Sequence, residues 1–212
     1  MKREEWTVKI VRLFGTPLAK FIAKLPFNVN PNVITLLSLI PAIIAGYCFF
    51  NNQLLFGALF FFISYILDCT DGTLARLTNQ ESVAGKQLDF YIDILGNVCM
   101  YFGLWYSQFY LHGLWFGGGL LIFAHYCVMV FGYMFVSDRT YKTRFPSIST
   151  YYGAADEGFI TFAILPIFNI FIIGLPILIA LQFISYIILA CKQEDKPDVW
   201  HNILSTLKLK ND

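Results

Sequence analysis

Six long apolar stretches, joined by links of two sharply different kinds, leave this chain few ways to fold. They run Val33–Phe50, Leu54–Leu74, Leu88–Tyr110, Leu114–Val136, Phe159–Ile173 and Leu175–Cys191, and a membrane-spanning helix needs about 17–25 such residues. The fifth is short as drawn and extends toward Ala155, which carries Asp156 and Glu157 into its first turn, where acids suit the helix dipole. All 15 Lys and Arg lie before the first stretch, between the second and third, between the fourth and fifth, or after the sixth. The alternate links, Asn51–Gln53, His112–Gly113 and the stretch around Asn169–Gly174, hold no Lys, Arg, Asp or Glu. The positive-inside rule therefore puts both termini and the 75–87 link in the cytoplasm. A composition 57% hydrophobic, with mean hydropathy +0.61, is that of a chain dissolved in lipid. A net charge of +1 offers no footing for a nucleic-acid partner.

The expected architecture is an all-α integral membrane protein of one domain over residues 1–212. It comprises an N-terminal amphipathic interfacial helix over 1–26, six transmembrane helices over 33–191 and a cytoplasmic tail over 192–212. Trp6, Ile10, Leu13, Phe14, Pro17 and Phe21 make an apolar stripe at helical spacing, with Lys9, Arg12, Lys20 and Lys24 off it. Such a helix lies in the headgroup layer, and Thr16-Pro17 is expected to break it in two. Glu4 and Glu5 stand where a signal peptide would carry its basic region. Cys48, Cys69, Cys99, Cys127 and Cys191 show no metal-ligand spacing and read as packing residues. His125 reads as a packed, hydrogen-bonded histidine.

Against this background four acids are out of place. Asp68 and Asp71 lie three residues apart, with Gly72 and Ala75 four and seven beyond Asp68, so all share one helix face. Gly85, Asp89 and Asp93 recur every four residues and give the next helix a matching face. A rise of 1.5 Å per residue puts Asp68 about 21 Å and Asp93 about 22 Å from the outer ends of their helices. Both then sit just inside the cytoplasmic boundary of a hydrocarbon core about 30 Å thick. Four unpaired Asp at mid-membrane would cost on the order of 10 kcal/mol, comparable to the net stability of a typical fold. Arg76 and Lys86 are too few to neutralise them. Two divalent ions would balance four negative charges, and hard oxygen ligands select Mg2+ or Mn2+ over Zn2+. A cation pathway in a cation-coupled membrane transporter is the other use such acids find.

The frame Asp68-Cys-Thr-Asp71-Gly72-Thr-Leu-Ala75-Arg76, eight residues, Gly85, three, Asp89, three, Asp93 resembles the defining motif of the CDP-alcohol phosphotransferases at every defined position. The preceding Asn30-Pro31-Asn32-Val33-Ile34-Thr35 is similar to that family's usual lead into its first spanning helix, and the resemblance covers roughly residues 1–192. It implies transfer of a substituted phosphate from a CDP-linked donor to the hydroxyl of an alcohol acceptor, with release of CMP. It further implies that Asp68, Asp71 and Asp89 bind two Mg2+ or Mn2+ ions. Asp93 is then the general base, within reach of the second metal. Gly72, Ala75 and Gly85 let the cytidine and diphosphate approach the backbone. Arg76 neutralises phosphate charge or holds its helix end at the headgroups, and Asn32 and Thr35 hydrogen-bond phosphate or serve as plain helix-start residues. A homodimer is expected on the resemblance alone.

The frame reads only the CDP half of the reaction. Arg139, Lys142 and Arg144 follow the fourth stretch and either hold a phosphorylated acceptor or are ordinary positive-inside charges. A phosphatidyl group moving from CDP-diacylglycerol to a small polar alcohol is the favoured chemistry. Phosphocholine or phosphoethanolamine moving to diacylglycerol is the alternative.

Overall fold

The computed structural model describes residues 4–26, 28–135, 150–151 and 153–191. Arg139, Lys142, Arg144 and the 192–212 tail lie outside the described residues. Among them the chain is helical, save for one two-residue parallel pair that joins Glu4–Glu5 (β1) to Thr150–Tyr151 (β2).

Helix α1 spans Trp6–Ile22 without interruption. The expected break at Thr16-Pro17 is absent, so Pro17 sits within the helix. Its exposed face carries Trp6, Ile10, Leu13, Phe14 and Phe21, while Val11, Gly15 and Ala19 are buried. Asn30 starts α2 (Pro31–Phe50): its side chain accepts the Asn32 N–H at 3.0 Å, and Pro31 occupies the first turn, where a missing N–H costs nothing.

Helix α3 (Leu54–Leu77) is about 36 Å long at 1.5 Å per residue, longer than a hydrocarbon core of about 30 Å. Among the described residues α2 and α3 are each long and apolar enough to cross a membrane.

Helix α4 (Val83–Leu104) begins five residues before the apolar stretch expected there, because Ser82 accepts the Gly85 N–H at 2.9 Å and caps it. The link between α3 and α4 therefore shrinks, and Gly85 and Lys86 are helical. A π-helical turn, Trp105–Tyr110, continues α4 and brings the Gln108 amide to donate to Asn52 Oδ1 at 2.9 Å.

Helix α5 covers Trp115–Phe135. The fifth unit starts at α6 (Ala154–Phe159), runs through a π-helical turn at Ile160–Ile164 and ends in α7 (Leu165–Ile167). Asp156 and Glu157 do fall in its first turn. The turn to α8 (Phe171–Cys191) comes at Phe168–Ile170, earlier than hydropathy suggested, with Asn169 in the left-handed region at φ 54°.

Small residues bring α2 and α4 together. Gly46 lies so close to Cys99, and Gly103 to the Gly46 carbonyl, that neither position has space for a Cβ, and a Cβ on Gly96 would stand 3.0 Å from that of Ala42. Close backbone approach is the usual route to helix association in lipid, where no hydrophobic force draws helices together.

Helix α1 follows α3 in the same direction. Thr7 meets Tyr65, Gly15 meets Ile66, Cys69 and Thr70, and Ala19 packs with Leu74 and Ile34. On the other side of the bundle, fully buried His125 pairs through Nδ1 with Gln182 Oε1 at 3.1 Å and through Nε2 with Thr161 Oγ1 at 2.9 Å. That is the packing role expected of it. Cys48, Cys69, Cys99 and Cys127 are free thiols.

Candidate active site

The three-residue step from Asp68 to Asp71 on α3 and the four-residue step from Asp89 to Asp93 on α4 aim the carboxylates of the two helices at one another. One oxygen from each of Asp68, Asp71 and Asp89 lies within 4.8 Å of the other two. Asp71 is buried, Asp68 and Asp89 are half-buried, and Asp93 is exposed. Asp93 is thus outside the tight trio but near enough to Asp68 to act on its charge.

Two oxygens of the trio, Asp71 Oδ2 and Asp89 Oδ1, are buried with no hydrogen-bond partner. Buried carboxylate oxygens demand hydrogen-bond donors or a cation. Three carboxylates gathered at this spacing, with orphaned oxygens and no nitrogen or sulfur donor among them, suit a hard divalent cation. The donor set fits the metal expected for the motif.

The expected ligand-binding residues surround the trio. The Thr35 hydroxyl, 3.3 Å from the Pro31 carbonyl to which it donates, also faces the Asp71 carboxyl. It sits on one of the three carboxylates rather than reaching past it. Asn32 lies against Gly85: its Oδ1 is 3.0 Å from where a Cβ on that glycine would stand, and Ser82 Oγ is equally near. At Gly72 nothing lies closer than the Arg76 guanidinium, whose nitrogens are 3.7 and 3.8 Å from the Cβ position. Arg76 is exposed, donates to Thr73 Oγ1 at 3.3 Å and adds positive charge beside Asp71. Ala75, half-buried, sits one turn beyond Asp71.

Residues 28–207 match the sequence model of the CDP-alcohol phosphatidyltransferases. The chain belongs to the CDP-alcohol phosphatidyltransferase family. It is a transferase of substituted phosphate groups, an enzyme of phospholipid synthesis. Among its relatives is the archaetidylinositol phosphate synthase of Pyrococcus horikoshii, 28% identical over 174 residues, which covers 80% of this chain and 85% of the relative.

Sequence reasoning missed the other partners of the turn that carries Asp68 and Asp71. On the face of α3 away from Asp71, Arg12 of α1 brings its charge beside Cys69, and the Thr70 hydroxyl, which donates to Ile66 O at 2.7 Å, lies 3.4 Å from Gly15 O. Nothing local marks Gly15 or Thr70, because the contact joins segments 55 residues apart.

Proposed function

We propose that this phosphatidyltransferase moves a phosphatidyl-type group from a CDP-linked lipid of the CDP-diacylglycerol kind to a small polar alcohol, releasing CMP, with Asp68, Asp71 and Asp89 as metal ligands and Asp93 as base. The observation that carries this reading is the trio of carboxylates within 4.8 Å, set in the family's motif on two adjoining helices of an apolar bundle.

When bound there, Mg2+ or Mn2+ would neutralise the donor's diphosphate and the departing CMP. Gly72 and Ala75 keep the surface beside the trio low, so that a nucleotide diphosphate reaches the backbone. Arg76 supplies positive charge at that surface. Asn32, in the first turn of α2 and against Gly85 of α4, holds the two helix starts at the separation the nucleotide requires.

Asp93 takes the proton of the acceptor hydroxyl. The new bond forms between that oxygen and the phosphorus bearing the lipid, while the bond from phosphorus to the oxygen bridging to CMP breaks. Exposure of Asp93 favours this role, since a base must meet a soluble acceptor. The relative's name, archaetidylinositol phosphate synthase, makes a phosphorylated inositol the first acceptor to test, with Arg139, Lys142 and Arg144 as its phosphate-holding residues.

The wider arrangement is part of the same proposal. One domain of six spans sits with both termini and the aspartates toward the cytoplasm, on the strength of the one-sided Lys and Arg. Helix α1 leans along the cytoplasmic part of α3 with its exposed apolar face in lipid and Lys9, Lys20 and Lys24 toward the headgroups. The enzyme works as a homodimer.

Purified protein with CDP-diacylglycerol, Mg2+ and a panel of acceptors, including myo-inositol phosphate, glycerol phosphate and serine, should release CMP with one of them. CMP released only from CDP-choline or CDP-ethanolamine in the presence of diacylglycerol would overturn the choice of donor.

A further inference from the structure

Two helix starts meet at one point of this molecule, and each is capped by an acid from the other. Glu5 Oε2 accepts the Ala155 N–H of α6 at 2.7 Å. Asp156 Oδ1 accepts the Thr7 N–H of α1 at 2.7 Å, and its Oδ2 accepts the Gly153 N–H at 3.0 Å. The first turn of a helix carries N–H groups with no partner of their own and a partial positive charge. Two such ends brought together leave N–H donors facing one another unless acceptor oxygens stand between them, and here those of two carboxyl groups do. The joint is tight: Asp156 is 3% exposed, and the Glu5 carboxyl fills the space a side chain on Gly153 would need. The β1–β2 pairing adds backbone hydrogen bonds at the same place.

From this joint a line of contacts leads to the catalytic turn. The Thr7 hydroxyl meets the Tyr65 hydroxyl at 3.1 Å, three residues before Asp68. Two turns further along α1, a Cβ on Gly15 would stand 3.2 Å from Thr70 Oγ1, 3.3 Å from the Ile66 carbonyl and 3.4 Å from the Cys69 Cβ. Residues 66, 69 and 70 form the back of the turn whose front presents Asp68 and Asp71 to Asp89. Displacing α1 therefore releases that turn from behind.

We infer that Glu5 and Asp156 are positioning residues for the transfer: by capping each other's helices they hold α1 as a brace against the turn that carries Asp68 and Asp71. The inference rests on the reading of the aspartate trio as the metal site. Neither acid belongs to the trio, so their effect reaches it through α1. A support of this kind acts on metal affinity, as groups that orient ligands commonly do.

The test uses the full chain in detergent or vesicles, with Glu5→Ala and Asp156→Ala to remove the caps and Glu5→Gln to keep the one acceptor oxygen that Glu5 uses. Gly153→Ala, whose backbone at φ −149° tolerates a side chain, crowds Glu5 without deleting either acid and serves where an alanine variant fails to fold. Two readouts are taken: the rate of maleimide labelling at Cys69, by peptide mass spectrometry, and the Mg2+ concentration that gives half-maximal CMP release. The alanine variants and Gly153→Ala should label Cys69 faster and need about tenfold more Mg2+, while Glu5→Gln stays near wild type. The Glu5→Ala/Asp156→Ala double variant should be no worse than either single one, because both acids serve one joint. Unchanged Cys69 labelling overturns the brace, and so does faster labelling with a wild-type Mg2+ requirement. Metal-independent CMP release by the wild type would instead remove the reading of the trio, with the labelling readout still deciding the brace.

Discussion

The amide oxygen of Asn32 stands 3.0 Å from the point where a Cβ on Gly85 would sit, so the first residues of α2 and α4 meet with almost no room for a side chain at position 85. Asn32 is itself held, through its N–H, by Asn30. Gly85→Ala asks Asn32 or Ser82 to yield by a few tenths of an ångström, whereas Gly85→Leu asks the helix starts to part. We expect Gly85→Ala to lower kcat/KM for the CDP-linked donor by roughly tenfold, about 1.4 kcal/mol, and Gly85→Leu to abolish turnover. Equal activity of wild type and Gly85→Leu in a CMP-release assay would show that the Asn32 contact has no part in the donor site.

The split between the trio and Asp93 has its own signature. Asp93→Asn removes a base and should lower CMP release by about 10²–10⁴-fold while Mg2+-dependent donor binding persists. Asp68→Asn removes a ligand and should weaken metal and nucleotide binding together. Calorimetric titration of the donor into each variant, with and without EDTA, separates the two. Loss of donor binding in Asp93→Asn equal to that in Asp68→Asn would make Asp93 a ligand.

Helix association is tested at Gly103, where an added Cβ would run into the Gly46 carbonyl. Alanine is favoured over glycine by up to about 1 kcal/mol as a helix former, but here the obstacle is backbone, which cannot rotate away. Overpacking of this kind costs about 1–3 kcal/mol, so Gly103→Ala should lower the unfolding temperature in detergent. Gly117→Ala, where nothing lies within 4 Å, should not. A stabilised Gly103→Ala would mean that α2 and α4 are not fixed at this separation.

Burial, with the charge of Asp156 adding to it, raises Glu5 above its ordinary pKa of 4.5. The folded protein therefore binds this proton more tightly than the unfolded chain does. The stability Glu5 contributes is fully present below pH 4.5 and is lost as pH rises through the raised value. Glutamine does not titrate, so the unfolding temperature of wild type relative to Glu5→Gln should fall with rising pH above 4.5. A difference that grows in the wild type's favour over that range would reverse the assignment.

What was legible in the sequence was legible because it is local. The shared face of Asp68 and Asp71 and the turn-by-turn repeat of Gly85, Asp89 and Asp93 follow from helical periodicity, which needs no partner to be read. The first-turn place of Asp156 and Glu157 follows equally. Errors came where a local signal competes with tertiary packing. Pro17 marks a break by propensity, yet Val11, Gly15 and Ala19 stay buried along α3 and the helix runs through it. The polar run before Leu88 resembled a link, yet Ser82 caps a helix there.

By itself the sequence determined the apolar character of the chain, the absence of Lys and Arg from every second link between its apolar stretches and the spacing that brings two carboxylates to one face of each helix. Only the tertiary structure decided that Asp71 and Asp89 would hold buried, unpartnered oxygens side by side, that Thr35 would face Asp71, and that Glu5 and Asp156 would exchange caps across 151 positions of chain. The physical reason is the range of the forces involved. Hydrogen-bond periodicity within a helix repeats every few residues and is written along the chain, whereas contact between helices depends on which glycines allow two backbones to close, and that is settled only when they meet.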